Sequence, residues 1–265
     1  MDLGQFKLVK TDWTAYREGR KPYDLVLEGG RVMDPSSGLD AVRNVGIVGD
    51  RIVAVSKEAL KGKEVIDVSG LVVAPGFIDT HSHGMDPVTC KLMLRDGVTS
   101  AGDLENGSLD VKNFYERRKG KWLINYFTAV SHEFARTAVM DDVWATDSTF
   151  LYPVRAEAAK DGHSSWIYDL PTEEQLQQIY GLLRKGLEEG ALGIGSMPGY
   201  FPEGATAVEV WEINKIAHEY NRLFAGHPRH DVLGKPPVEY DLGYKEFMAN
   251  SLILGPRPTM KDKIK

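Results

Sequence analysis

The chain has 265 residues and a formal net charge of −6; the length suits one large domain or a barrel with a small companion, and the acidic balance leaves no basic footprint for nucleic acid. No apolar run approaches the ~20 residues that span a bilayer, and the opening MDLGQFKLVKTDW lacks the apolar stretch of a signal peptide. One cysteine excludes an internal disulfide and fits a reducing compartment, so a cytoplasmic protein with neither nucleic-acid nor membrane partners is expected.

Residues 1–22 form a polar lead with scattered aromatics and no assigned role. From Tyr23 to about residue 73 the text is short strands and turns. DLVLEGGRVMD alternates around a Gly29-Gly30 turn, DPSSG connects, and NVGIVGDRIVAVS reads as a hairpin turning at Gly49-Asp50. KEVIDVSGLVVAP leads out. This predicts a small β-sandwich or other β-rich subdomain, an antiparallel meander fitting the pattern equally well.

The next stretch, VVAPGFIDTHSHG (residues 72–84), organises the rest. It reads as a buried strand whose C-terminal end carries Asp79, His81 and His83 on one face, because side chains alternate along a strand. Two imidazoles two residues apart can reach one metal ion ~2.0–2.1 Å from each ring. A bare H-x-H is more often a pair of surface histidines on a loop; the apolar strand and Pro-Gly entry favour the metal reading.

Strands then alternate with helices. Residues 85–95 predict a helix with Val88, Leu92 and Leu94 as its apolar stripe and Cys90 in the core, closed by Asp96-Gly97. VTSAGDLE (residues 98–105) is a second strand presenting Asp103 and Glu105, and LINYFTAV (residues 123–130) a third. From there to about residue 170 the text is irregular, the length of a substrate lid. Thr172 and Gln175 form a capping-box pattern for a helix that Gly190 stops. ALGIGSM is a fourth strand, residues 205–220 a helix in which His218 packs with Trp211, and RLFAGH a fifth strand ending at His227. The alternation argues for an α/β barrel, and the reactive residues fall at strand C-termini, where barrel enzymes place their sites.

PGFIDTHSHG, preceded by KGKEVIDVSG, resembles the first barrel strand and its approach in the amidohydrolase superfamily. The phrases ALGIGSMPGYFPEGAT and FAGHPRH are similar to the D-aminoacylase, or N-acyl-D-amino-acid deacylase, branch. The resemblance implies a (β/α)8 barrel, here about five βα units over residues 74–254, behind a β-subdomain over 23–73. It implies one or two divalent ions, zinc above all, and a small-molecule amide substrate hydrolysed with metal assistance. His81 and His83 take the role of metal ligands and His227 that of the fifth-strand ligand. In the family the bridging ligand is a carbamylated lysine of strand four or a glutamate; strand four here has no lysine, so Glu105 is the expected bridge and Asp103 the weaker candidate. Arg229 suits a substrate carboxylate, and Tyr200 and His132 are further pocket residues.

The resemblance covers roughly residues 23–254 and departs in two places. The branch uses a cysteine near strand two as a ligand, where this chain has Glu105. The sixth-strand histidine and the eighth-strand aspartate, the family's general acid, have no counterpart, so no catalytic acid is assigned. The closing GPRPTMKDKIK (residues 255–265) changes composition abruptly, which suggests a truncated chain. The expectations are therefore an amidohydrolase deacylating N-acyl-D-amino acids, a cyclic-amide hydrolase of the dihydroorotase or hydantoinase type, or a non-catalytic fragment. Oligomeric state is left open.

Overall fold

In the computed structural model, which describes residues 12–84, 86–146 and 148–228, the chain divides into two units, one ending at Pro75 and one beginning at Gly76. The first contains a short helix α1 (Thr14–Arg17) and strands β1 (Tyr23–Asp34), β2 (Leu39–Val48), β3 (Arg51–Ser56), β4 (Gly62–Asp67) and β5 (Val72–Val73). They form one mixed sheet in the order β3-β2-β1-β4, with β5 also on β1. The hairpin strands run antiparallel, while β4 and β5 lie parallel to β1. Tyr23, Val26 and Val53 are its buried centre, with Trp13 and Tyr16 packed against them.

Gly29-Gly30 is not the turn that the sequence suggests. β1 runs straight through it, and pairing with β2 slips from Leu27↔Val45 to Gly30↔Arg43. One extra residue on β1 makes this a β-bulge. Gly29 takes a positive φ of 76° and donates its N–H to Asn44 Oδ1 at 2.9 Å, a conformation that a side chain would strain.

The second unit alternates strand and helix. Its elements are β6 (Phe77–Asp79), α2 (Pro87–Arg95), β7 (Val98–Ser108), α3 (Val111–Arg118), β8 (Asn125–Ser131), α4 (His132–Met140), α5 (Leu151–Ala158), α6 (Ser165–Tyr168), α7 (Glu173–Glu188), β9 (Gly193–Ser196), α8 (Ala207–Glu219) and β10 (Leu223–Gly226). The strands pair in parallel and in chain order, β10-β9-β8-β7-β6, as successive βα units demand. The result is a curled five-stranded parallel sheet, part of an α/β barrel. Val130, Ile194, Phe134, Ile179, Leu183, Leu187, Ile213 and Ile216 bury one continuous core between the sheet and helices α4, α7 and α8. Helix α7 starts at the expected box: Thr172 Oγ1 accepts from Gln175 N, and Gln175 Oε1 from Thr172 N. No helix among the described residues is long and apolar enough to cross a membrane.

Several local expectations change. β6 is an edge strand rather than a buried one: Phe77 and Ile78 are 69% and 67% exposed, because it pairs only with β7 among the described residues. In α2 the stripe Val88, Leu92 and Leu94 faces outward, and Cys90 with Met93 packs inward against Ala101 and Ile124; Cys90 is core, as expected. Residues 131–170 are not irregular, since they hold α4, α5 and α6. Helix α4 escaped periodicity analysis because it is buried all round, from His132 to Ala138, with polar residues satisfied inside. His218 and Trp211, expected to pack, both lie on the exposed side of α8.

Candidate metal centre

The site forms where β6 gives out. Beyond Asp79 the chain stays beside β7: Leu104 N donates to Thr80 O, and Ser82 N to Gly102 O at 3.0 Å. His81 makes a bridge with Asp103. Strand alternation persists across this stretch, so Ser82 is buried while His81 and His83 turn together toward β7. Asp79 Oδ1 accepts the His81 N–H at 2.9 Å and fixes the bend.

Three donor atoms then meet. His81 Nε2 lies 2.8 Å and His83 Nε2 3.0 Å from Glu105 Oε2, and the two Nε2 atoms are 3.0 Å apart. Hydrogen bonding alone serves this triangle poorly, because each imidazole nitrogen faces both the other and one oxygen. An ion ~2.0–2.1 Å from each donor fits such spacing, and two imidazoles with a carboxylate are a zinc-type donor set. Glu105 also spans the site: its second oxygen, Oε1, is 2.8 Å from His227 Nδ1. His227 is held just past β10 by two backbone bonds, its N–H to Ser196 O at 2.9 Å and its carbonyl accepting from Gly199 N at 3.0 Å.

Asp103 has a different place from the one expected. Its Oδ2 contacts His83 Nδ1 at 2.8 Å, and its Oδ1 accepts from Asn106 N. A carboxylate behind an imidazole orients the ring and turns the other nitrogen inward, the arrangement that typically backs a metal-ligating histidine. The Asp103 and Glu105 carboxylates push His83 up to about 10. Burial would raise Glu105, but His83, His227 and His81 outweigh it and bring it down to about 2.

Of the other candidates, Tyr200 is 45% exposed and its ring lies 4.6 Å from that of His227. Arg229 lies outside the described residues. His132, expected among pocket residues, is wholly buried. Its Nδ1 is 2.8 Å from Ser196 Oγ and its Nε2 2.8 Å from Glu209 Oε1, so both nitrogens are engaged inside the protein. Glu209 in turn pairs with Arg136, whose other donors reach the carbonyls of Trp166, Asp169 and Gly204. The reading of the sequence also missed Glu133 and Arg155, a bidentate pair with both bonds at 2.8 Å. Burial pushes the Glu133 carboxyl up against the opposing pull of Arg155, and its charge also senses Glu105 and His83. Glu133 immediately follows the buried β8–α4 junction at Ser131-His132; nothing in spacing alone pairs it with a residue of α5.

No family model matches the chain. It is homologous to the D-aminoacylase of Alcaligenes xylosoxydans xylosoxydans, with 28% identity over 241 residues, 79% of this chain and 45% of that protein. A shorter stretch of 65 residues, 24% of this chain and 11% of the relative, is 52% identical to an adenine deaminase of Sinorhizobium fredii. Among solved structures, a D-aminoacylase described as defining a subset of amidohydrolases superimposes with a TM-score of 0.63 at 26% identity, over 78% of this chain and 46% of that one. D-aminoacylase has also been described for a binuclear metal center. An N-acyl-D-glutamate deacylase complexed with zinc and a phosphonate inhibitor shares the fold, with a TM-score of 0.66 at 22% identity, over 86% of this chain and 49% of that one. The chain thus spans less than half the length of the D-aminoacylase it matches.

Proposed function

We propose that this chain carries the metal-holding strand ends of an amidohydrolase that cleaves an amide C–N bond, with an N-acyl-D-amino acid as substrate. The observation that carries the reading is Glu105, whose two oxygens reach His81 and His83 on one side and His227 on the other. One carboxylate placed between two sets of nitrogen donors is what a pair of neighbouring cations requires. The similarity to D-aminoacylase supports the choice of substrate.

His81, His83, Glu105 and His227 would hold one or two divalent ions, zinc fitting the donor set best. Such ions supply Lewis acidity, which makes water nucleophilic at neutral pH and polarises an amide carbonyl. The chain's own contribution is placement. Asp103 fixes the His83 ring so that Nε2 faces the site. Glu105, held down to about 2, is ionised and so available as a ligand at physiological pH. The Tyr200 ring lies against His227, 4.6 Å between centroids and tilted by 42°.

The test is metal content and turnover measured together. The chain, loaded with zinc and dialysed, should retain metal that a His81→Ala, His83→Ala variant does not. A full-length protein that carries these strands together with the family's remaining ones should hydrolyse N-acetyl-D-methionine in preference to N-acetyl-L-methionine and dihydroorotate. Zinc retention with turnover of dihydroorotate alone would move the protein to cyclic amides; equal metal in wild type and double variant would end the metal assignment.

A further inference from the structure

We propose that Arg155, on α5, receives the carboxylate of the substrate, so that the site selects amides whose amine half carries an acid group. This rests on the amide-hydrolase reading of the same site and adds the residue that sets its specificity.

The placement comes from a run of direct contacts. The Arg155 guanidinium carbon lies 4.7 Å from the centre of the Tyr200 ring. That ring is 4.6 Å from His227, and His227 bonds Glu105. Arg155 therefore stands one aromatic ring away from the metal donors. From the other side Glu133 grips it through Nε and Nη2.

The grip explains how the cation can serve a ligand. Side-on pairing through Nε and Nη2 uses one edge of the guanidinium, and its planar fork keeps further N–H donors on the opposite edge. Among the described residues no acceptor meets Nη1. The two partners also differ in access: the Glu133 side chain is 1% exposed and that of Arg155 24%. The buried carboxylate fixes the guanidinium's position, with the Tyr200 and Trp166 rings 4.7 and 5.7 Å from its central carbon, which leaves the opposite edge for a ligand. A carboxylate is the group whose geometry matches such an edge, and an arginine already held in place loses little entropy on binding it. A pair serving only to join α5 to α4 would have no need of an exposed aromatic shared with His227.

The experiment compares binding of N-acetyl-D-methionine and its neutral carboxamide, of the same size, to the zinc-loaded chain by isothermal titration calorimetry. The acid should bind roughly 10–100-fold more tightly, the worth of a charge-assisted hydrogen bond. Arg155→Met should remove that preference, so that acid and carboxamide bind alike, and Arg155→Lys should keep part of it. Because Arg155→Met leaves Glu133 buried and alone, Glu133→Gln with Arg155→Met provides a second variant, its fold checked by circular dichroism. Equal binding of acid and carboxamide by wild type, or a preference that survives in a folded Arg155→Met or double variant, overturns the proposal. If the preference depends on Arg155 but a full-length protein carrying these strands never hydrolyses N-acetyl-D-methionine, the carboxylate site stands and the hydrolase reading falls. If neither ligand binds the folded, zinc-loaded chain, both fall.

Discussion

Replacing Glu209 by glutamine tests whether the polar network inside the second unit holds it together. Glu209 is 1% exposed and its two oxygens meet Arg136 Nη1 at 2.6 and 2.8 Å; Arg136 is fully buried. The substitution keeps the shape but removes the only carboxylate bonded to that guanidinium among the described residues. The three carbonyls of Trp166, Asp169 and Gly204 remain as neutral acceptors. Removing one partner of a buried pair costs about 3–5 kcal/mol, mostly because the other charge stays behind without compensation. His132 Nε2 loses its charged acceptor as well, which puts the expected loss in the upper half of that range. Urea unfolding followed by far-UV circular dichroism reads it as a lower midpoint with an unchanged slope. Burial would raise the Glu209 carboxyl, but His132 and Arg136 hold it below its ordinary 4.5. Its contribution is therefore present above that value and lost as pH falls through the lowered one, so wild type and Glu209→Gln should converge in acid. A loss under about 1 kcal/mol at neutral pH, the scale of an exposed pair, would refute the claim that Arg136 depends on Glu209.

Asp103→Asn should leave the fold intact and weaken zinc binding about 10–100-fold, the usual cost of removing a carboxylate behind a ligating histidine; competition with a chromophoric chelator measures it, and unchanged affinity would show that His83 needs no support. In the metal-free protein, His83 is raised to about 10 and Glu105 lowered to about 2. The histidine's contribution is complete below 6.5 and lost as pH rises toward 10, whereas that of Glu105 is present above 4.5 and lost as pH falls toward 2. Melting temperature after chelation should thus decline above pH 6.5, and the decline should vanish in His83→Gln. Zinc should reverse the trend, because it binds the unprotonated ring. Thr172→Ala removes the capping box of α7 and should cost about 1 kcal/mol; a thermal scan that shows no shift would mean that this helix start contributes nothing.

The sequence by itself determined the order of the elements and the identity of the strand ends. His81 and His83 share a face because strand side chains alternate, and Glu105 and His227 lie in the C-terminal part of the second strand and just past the fifth strand of the sheet that the α/β pattern implies. Local chemistry was equally legible in the Thr172–Gln175 box and the Gly49-Asp50 hairpin, since each depends only on residues a few positions apart. The tertiary structure decided what depends on separation in sequence. His83 and Asp103 are 20 positions apart, and only the register of β6 on β7 turns a candidate bridge into the group behind the ring. The all-round burial of α4 erased the periodicity that reveals a helix, and its charged residues find partners 22 and 73 residues away. Gly29-Gly30 became a bulge because the β2 partner continues past it, and Phe77 and Ile78 remained exposed because an apolar strand is buried only where a neighbour covers it.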